Sequence, residues 1–221
     1  MTKENNKTKA HIRYKLQDGT RVPGVTTLTG ILDKPALKYW ANKIGLEGIE
    51  IRKYVDDKAD IGTLAHYMVL CDFKGKTPDT LDYSKNQIEQ AETCLIKFWD
   101  WKSGKEIEPI LLEAPLVSEK HRFGGTCDIY AKVNGTPTLI DLKTGRGIYD
   151  EMLYQVSAYK MLLAEHKYLA EQCMILRIGR NEEEGFETKV LNSTALYEEI
   201  FLRCLEIYNL RKQLKGEKND N

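Results

Sequence analysis

Apolar residues recur three and four positions apart in five stretches of the chain, which is the spacing of one face of an amphipathic helix. One of these stretches opens with Ser84 and has Gln87 three residues later, which is the pattern of a capping box. The sequence therefore predicts a helix that begins near Ser84. The five predicted helices cover 35–51, 59–71, 84–99, 150–166 and 193–214.

In other segments the helical period gives way to the two-residue alternation of β-strands. Asn134-Gly135 separates two such segments and is the strongest short signal for a β-hairpin, and Asp18-Gly19 gives a second hairpin signal. We therefore predict a single α/β domain with a mixed central β-sheet flanked by helices. The predicted strands cover 109–118, 123–133, 137–143, 172–180 and 185–191.

The same pattern suggests how the chain is divided. Residues 1–9 are polar and are predicted to be a disordered tail, followed by a single domain over 10–215. Within that domain, 10–58 form an N-terminal arm and helix, 59–192 form the core that carries the candidate chemistry, and 193–215 form a C-terminal helix.

The composition narrows the class of protein. With 42% hydrophobic and 30% charged residues, the chain has the make-up of an ordinary globular protein. It has no apolar run of the ~20 residues that a membrane span needs and no secretory signal, so we expect a cytoplasmic protein. The five cysteines are scattered singly, which predicts reduced thiols and no iron–sulfur cluster. The net charge is zero, so a nucleic-acid partner would need local positive charge.

Asp141 and Lys143 lie two residues apart at the end of a predicted buried strand, so their side chains project from one face. An acid-x-Lys triplet alone is weak evidence, because six occur in the chain. Asp128, on the preceding predicted strand, is what distinguishes the triplet at Asp141 from the others. Asp128 and Asp141 are equally far from the Asn134-Gly135 turn, so hairpin pairing should place them opposite each other.

Two carboxylates that face each other on neighbouring strands repel. A divalent cation between Asp128 and Asp141 would make their closeness tolerable, and such oxygen ligands suit Mg²⁺ or Mn²⁺. The alternative is that one of the acids points to solvent and pairs with Lys132 or Lys143.

Four further polar residues lie on apolar faces or beside this pair. His66 and Gln155 each fall on the apolar stripe of a predicted helix, with Tyr159 one turn after Gln155. Taken alone, such residues are more often part of ordinary packing, but beside the aspartates an imidazole would be a metal ligand. Glu113 is either a charge at the rim or a group that holds Lys143 or a metal-bound water.

In chain order the motifs are Gly62-Thr63-x-x-His66, Glu113, Gly125-Thr126-x-Asp128, Asp141-Leu142-Lys143-Thr144-Gly145 and Gln155-x-x-x-Tyr159. This ordered set resembles the RecB/Cas4-like branch of the PD-(D/E)XK nucleases, over roughly residues 23–190. The stretch from Val25 to Trp40 also resembles phage-encoded members and mitochondrial genome maintenance exonuclease relatives. The four cysteines that Cas4 proteins use for an iron–sulfur cluster are missing at that spacing, so that subfamily is excluded.

The resemblance implies a restriction-endonuclease-like core and a metal-dependent deoxyribonuclease. Family members bind one or two Mg²⁺ or Mn²⁺ ions at the positions that match His66, Asp128, Asp141 and the Leu142 carbonyl. At the position of Lys143 they position or deprotonate the attacking water, or stabilise charge in the transition state.

The resemblance also implies the remaining site residues. Glu113 joins Asp128, Asp141 and Lys143 in the catalytic set, while Gln155 and Tyr159 line the DNA path or brace the metal. Tyr39 and Trp40 are candidates either for stacking on a frayed base or for the core. The basic residues that are candidate phosphate contacts are Lys34, Lys38, Lys43, Arg122, Arg146 and Lys160.

The leading hypothesis is an exonuclease that hydrolyses DNA phosphodiesters in recombination, repair or DNA degradation. A structure-specific endonuclease of the same fold would share the site, and a catalytically silent DNA- or partner-binding module is an alternative of a different class. The expected partners are DNA, a single-strand-binding or recombination protein, and further copies of the chain in a homo-oligomer, with no membrane. The location would be the host cytoplasm if the protein is phage-encoded.

Overall fold

The computed structural model describes residues 13–32 and 34–219, so the predicted tail at 1–9 lies outside the described residues. The elements in chain order are α1 (Val25–Thr29), α2 (Pro35–Leu46), α3 (Ile51–Lys74), α4 (Lys85–Lys102), β1 (Ile107–Ser118), β2 (Phe123–Val133), β3 (Thr136–Thr144), α5 (Asp150–Glu165), β4 (Gln172–Ile178), β5 (Phe186–Leu191) and α6 (Ala195–Asn219).

The strands form one mixed sheet in the order β1-β2-β3-β4-β5. Neighbouring strands are antiparallel except for β3 and β4, which are parallel. A parallel pair needs a crossover connection, and α5 provides it. The predicted α/β class, with helices flanking a mixed sheet, is therefore confirmed.

The sheet is the middle layer of three. On one face α1, α5 and α6 close a core that includes Leu28, Val156 and Phe201. On the other face α3 and α4 close a second core that includes Leu64 and Phe98. Successive side chains of each strand point to opposite faces of the sheet, so the same strands contribute to both cores. Residues at the ends of these strands can therefore contact helices on either side of the sheet.

Both predicted hairpins are present. Asn134 and Gly135 have φ values of 50° and 82°, and positive φ at both central residues is the requirement of a type I′ turn. Near the start, Lys15 pairs with Arg21 around Gly19, whose φ is 84°. The predicted capping box is also confirmed, because the Ser84 hydroxyl accepts from the Gln87 N–H.

The predicted helix over 35–51 is wrong at its C-terminal end. Helix α2 ends at Leu46, and Gly48 adopts a left-handed φ of 76°. A left-handed glycine just past a helix commonly ends it, because a residue with a Cβ is strained there. A new helix then starts at Ile51 and runs to Lys74, which is longer than the predicted 59–71.

Helix α6 packs on the sheet through its middle: Phe201, Cys204 and Leu205 are buried, whereas Leu196 and Leu214 are exposed. All five cysteines are buried and free. Among residues 13–32 and 34–219, no helix combines the length and the apolar character that crossing a bilayer requires.

Candidate active site

The acid-lysine pair lies at the carboxyl end of β3, a strand buried along most of its length. The Lys143 Nζ is 2.6 Å from Asp141 Oδ2, and the Asp141 side chain is only 1% exposed. Leu142, between them, packs in the core against α3 and α4, as the alternation predicts. A charged pair is thus held inside the protein at the end of a strand.

The Asp141 carboxylate has unfilled acceptor positions. Lys143 is in ionic contact with it, but neither carboxylate oxygen accepts a hydrogen bond of normal geometry from any described residue. Burial raises the pKa of Asp141 to about 6, with the Asp128 charge acting in the same direction and the Lys143 ammonium opposing both. A buried carboxylate with open acceptor positions is an environment that a cation would stabilise.

Asp128 lies one step beyond the last pair of the β2–β3 ladder. That ladder ends at Ile129 opposite Ile140, so the predicted register is confirmed up to the residues next to the two aspartates. Beyond it, the Leu142 N–H donates to Asp128 Oδ2 at 2.9 Å. In a regular sheet the Leu142 N–H would donate to a main-chain carbonyl of the neighbouring strand. Here the Asp128 side-chain carboxylate is the acceptor instead.

The side chains of β2 change faces at Asp128. Cys127 packs with the α5 layer and Ile129 with the α3 layer, although the two residues are only two positions apart. Regular two-residue alternation along 123–133 predicts Phe123, Cys127, Ile129 and Ala131 on one face, and this prediction is wrong at Asp128. The break turns the Asp128 carboxylate towards the gap between the strands instead of into a core.

The neighbouring strand is irregular at the same level. Glu113 has a φ of 46°, which is rare for a residue with a side chain. It lies opposite Asp128, between the pairs Leu112–Ile129 and Ala114–Cys127. Backbone strain of this kind often accompanies functional sites. Glu113 is the one polar residue in the apolar run 109–117, which marks the position but gives no signal of the left-handed backbone.

A small cavity of about 10 Å³ lies beside these residues, with room for about one water molecule. Helix α3 contributes His66, whose Nδ1 is 3.7 Å from Asp128 Oδ1. The cavity thus collects four predicted site residues, which are His66, Glu113, Asp128 and Leu142.

Gly62 allows α3 to approach β3 closely. It lies one turn before His66, and a Cβ there would come within 2.9 Å of the Thr144 hydroxyl oxygen. The close approach brings the imidazole to the strand ends, which gives a physical reason for a glycine at this spacing before the histidine.

Helix α5 covers the site from the other layer. The Gln155 Nε2 donates to the Tyr159 hydroxyl at 2.6 Å, so these residues are paired as their one-turn spacing suggests. Burial raises the pKa of Tyr159 well above its usual value, and the charges of Asp141 and Asp128 add to the shift. Tyr159 is therefore buried close to both carboxylates, where its ring can support them.

Gly125 leaves the space that the Tyr159 ring fills, since a Cβ there would lie 2.5 Å from Tyr159 Cε1. We expect Gly125→Ala to push the buried ring aside, to lower the free energy of unfolding by about 2 kcal/mol, and to reduce any activity of the site. Thermal unfolding measures the first effect. Gly216→Ala is the matched control, because nothing lies within 4 Å of its Cβ, and a stability as low as that of Gly125→Ala would contradict this explanation.

The donor types suit a hard divalent cation, although a finished site is not preformed. Among the residues that the structure describes, no three His, Cys, Asp or Glu side chains are arranged as a ligand group. Lys143 contacts Asp141, and a backbone N–H uses one oxygen of Asp128. Two carboxylates, an imidazole and the open acceptor positions of Asp141 still fit Mg²⁺ or Mn²⁺ chemically.

The basic residues predicted to contact DNA do not gather in one place. Arg122 is exposed in the turn before β2, about 20 Å along that strand from Asp128. The Lys160 Nζ donates to the Thr194 hydroxyl just before α6. Only the exposed Arg146 follows the site directly, and its Nε is 3.9 Å from Glu184. The contact of these residues with DNA stays a prediction.

Arg177 is a structural partner of the site that the sequence analysis missed. It is buried in β4, and its Nη1 donates to the Gly145 carbonyl at 3.0 Å and to the Glu184 carbonyl. The guanidinium therefore fixes the turn that follows Lys143. An arginine inside the apolar run from Cys173 to Ile178 is the signal that could have revealed it.

No family model matches this sequence, and no curated protein matches it. Solved structures give matches of low similarity. A protein from Eubacterium rectale that was assigned as an exonuclease is 14% identical, with a TM-score of 0.46, and the match covers 73% of this chain and 69% of that one.

An alkaline exonuclease from Laribacter hongkongensis is 14% identical, with a TM-score of 0.37, over 70% of this chain and 84% of that one. Its complex with dAMP gives 13% identity and a TM-score of 0.38 over the same shares. At these identities and TM-scores the matches establish neither the activity nor the family of this chain.

Proposed function

We propose that this protein is a metal-dependent deoxyribonuclease that hydrolyses phosphodiester bonds at the carboxyl end of β3. One observation carries the proposal: the Asp141 carboxylate is buried, has open acceptor positions and contacts Lys143, at the point where Asp128 and His66 also converge. A protein keeps such a carboxylate at a cost in stability, and functional sites are where that cost is usually found.

His66, Asp128, Asp141 and the Leu142 carbonyl would hold one or two Mg²⁺ or Mn²⁺ ions. A bound ion supplies Lewis-acid polarisation of the phosphate and a lower pKa for the attacking water. Asp141 orients the Lys143 ammonium, which is 2.6 Å from its Oδ2. From there the Lys143 ammonium can donate a hydrogen bond that positions the attacking water, or can stabilise negative charge on the phosphate oxygens.

The remaining residues shape the site. Glu113 lines the cavity with His66 and Asp128 and would orient a water there. Tyr159 and Gln155 close the α5 side and keep the carboxylates away from bulk solvent. Exclusion of water strengthens every electrostatic interaction in the site.

Within this class we propose an exonuclease of the RecB-like branch, because the chain carries the ordered motifs of that branch. The catalytically silent DNA-binding module is the second candidate. One observation favours it, which is the lack of a preformed group of three metal ligands among the described residues.

A cleavage assay with end-labelled linear, nicked and circular DNA tests both candidates. We expect degradation of linear DNA with Mg²⁺ or Mn²⁺, no degradation with EDTA, and intact closed circles. Cleavage of closed circles would mean that the protein is an endonuclease and not an exonuclease. Binding of DNA without cleavage under any metal would favour the silent module and reject the proposed activity.

A further inference from the structure

Helix α6 presents apolar residues on two different faces. Phe201, Cys204 and Leu205 are buried under the helix. A second stripe lies on another face, and each of its apolar residues is exposed or partly exposed: Leu196, Ile200, Ile207, Leu210 and Leu214. A long exposed apolar stripe marks an interaction site, whereas a single exposed residue needs no explanation.

The exposed stripe has the spacing of a coiled-coil seam. From Leu196 to Leu214, with Arg203 included, its positions advance by four, three, four, three and four residues. This is the pattern of positions a and d in the seven-residue repeat abcdefg. Isoleucine occupies a at 200 and 207, and leucine occupies d at 196 and 210. β-Branched residues at a with leucine at d favour two parallel helices.

The residues beside the stripe carry opposite charges at matching positions. Glu206 lies at position g and Arg211 at position e of the following repeat, and both are exposed. In a parallel pair of helices, g of one helix lies beside e of the next repeat in the other helix. Glu206 of one copy would therefore face Arg211 of a second copy, and two-fold symmetry would form this ion pair twice.

Arg203 is the one charged residue in the stripe, and it has counter-charges on its own helix. Its guanidinium nitrogens lie 3.6 Å from Glu199 Oε1 and 3.1 Å from Glu206 Oε2. The two arginines that meet across a parallel seam would thus each be neutralised. A single polar residue in a seam lowers affinity but specifies the register of pairing.

The rest of the fold leaves room for a second copy at this stripe. At about 100° per residue, the buried residues Phe201, Cys204 and Leu205 lie about 130° around α6 from the stripe. Two copies that meet at their stripes would therefore keep their globular bodies on opposite sides of the helix pair. The burial of these residues also orders α6 before it pairs, so association does not bear the cost of folding the helix.

We propose that α6 pairs in parallel and in register with α6 of a second copy of this chain, which makes the protein a two-fold dimer. The seam runs about 27 Å along the helix, from Leu196 to Leu214. It assigns an interface to the homo-oligomer that is expected from the sequence. The inference does not depend on the proposed nuclease activity.

The first test measures the dissociation constant of the dimer by sedimentation equilibrium. Leu210→Lys should raise it at least about tenfold, because each copy loses a leucine that pairing buries. Leu210 is exposed in the single chain, so the variant should fold and keep its helical circular dichroism. Leu81→Lys is the matched control, since Leu81 is 91% exposed in the segment before α4, and it should leave the dissociation constant unchanged.

The second test reverses charge beside the seam. Arg211→Glu places a carboxylate opposite Glu206 of the other copy and should raise the dissociation constant about fivefold. Lys212→Glu is the matched control, because it makes the same change of charge one residue later. Lys212 is exposed and lies on the side of α6 away from the stripe, so its replacement should have no effect.

The third test determines the direction of pairing. In a parallel dimer the two copies of Leu214 meet, so Leu214→Cys should form a disulfide between copies in oxidised glutathione. In an antiparallel pair, where Leu214 faces Arg203, the two cysteines would be about 16 Å apart, beyond the ~7 Å between Cα atoms that a disulfide spans. The five native cysteines are buried, and the wild type should form no such link.

Three results would overturn the parallel α6 dimer. A wild type that sediments as a monomer at every concentration leaves the stripe to a partner of another kind. A dimer that Leu210→Lys does not weaken has its interface elsewhere. A dimer that Leu214→Cys does not cross-link is not parallel. None of these results bears on DNA cleavage, which the assay with linear and circular DNA tests separately.

Discussion

Replacement of Asp141 by asparagine is expected to abolish DNA cleavage and to make the metal-free protein more stable. The variant removes a ligand charge, so the rate should fall by about 10³-fold or more, the value of several kcal/mol of metal stabilisation. It also removes a buried negative charge without changing the side-chain volume. End-labelled linear DNA with Mg²⁺ measures the first effect, and thermal unfolding in EDTA measures the second.

The direction of the stability effect follows from the pKa. Asp141 in the folded protein has a pKa raised to about 6 from 3.8, so the folded state binds this proton more tightly than the unfolded chain does. The contribution of Asp141 to the free energy of unfolding therefore favours the folded state at low pH and is lost as the pH rises through about 6. At about pH 8 the asparagine variant should gain on the order of 2 kcal/mol over the wild type, and near pH 4 the gain should vanish.

The matched control is Asp100→Asn, in the acid-x-Lys triplet of α4 that ends at Lys102. Asp100 is exposed, so its replacement should change neither cleavage nor stability. An Asp141→Asn protein that cleaves as fast as the wild type would mean that the site has been assigned to the wrong strand. A variant that is less stable than the wild type at about pH 8 would mean that Asp141 has polar partners in solution beyond those described here.

Lys143→Met is expected to abolish turnover and, in contrast, to destabilise the metal-free protein. It leaves the Asp141 carboxylate, 1% exposed, without the ammonium that lies 2.6 Å away. Removal of one partner of a buried ion pair costs about 3 kcal/mol, and the partial exposure of Lys143 reduces this figure. Cleavage should fall by at least about 10²-fold, while added Mg²⁺ should restore much of the lost stability.

The double variant Asp141→Asn/Lys143→Met separates the effect of the ion pair on stability from the effects of the two individual charges. With both charges removed, its stability in EDTA should recover most of what Lys143→Met loses, because no unpaired buried charge remains. Equal stability of the single and double variants would contradict the ionic contact. Calorimetric titration of Lys143→Met with Mn²⁺ tests whether the metal still binds when turnover is lost.

The strands were predictable because their pattern and turns agree. Asn134-Gly135 can adopt two successive positive φ values, and this turn sets the register as far as Ile129 and Ile140. The register in turn brings Asp128 next to Asp141. The turn chemistry was therefore sufficient to predict the register that places the two aspartates side by side.

The irregular features were not predictable from alternation. The reversal of faces at Asp128 and the left-handed Glu113 lie where the strands depart from the regular pleat, and that departure depends on tertiary contacts. The break between α2 and α3 was missed for a different reason. Apolar residues at helical spacing continue on both sides of Gly48, so the periodicity alone does not reveal the left-handed φ of 76° that ends α2 there.

The acceptor role of Asp128 has a practical consequence. Its Oδ2 accepts from the Leu142 N–H while its Oδ1 faces His66, so one carboxylate both connects two strands and lies in the candidate site. Alanine at this position would free a main-chain donor inside the sheet and confuse lost chemistry with damaged architecture. Among the described residues no main-chain N–H donates to Asp141, which makes it the better position for an inactive protein intended to trap DNA intact.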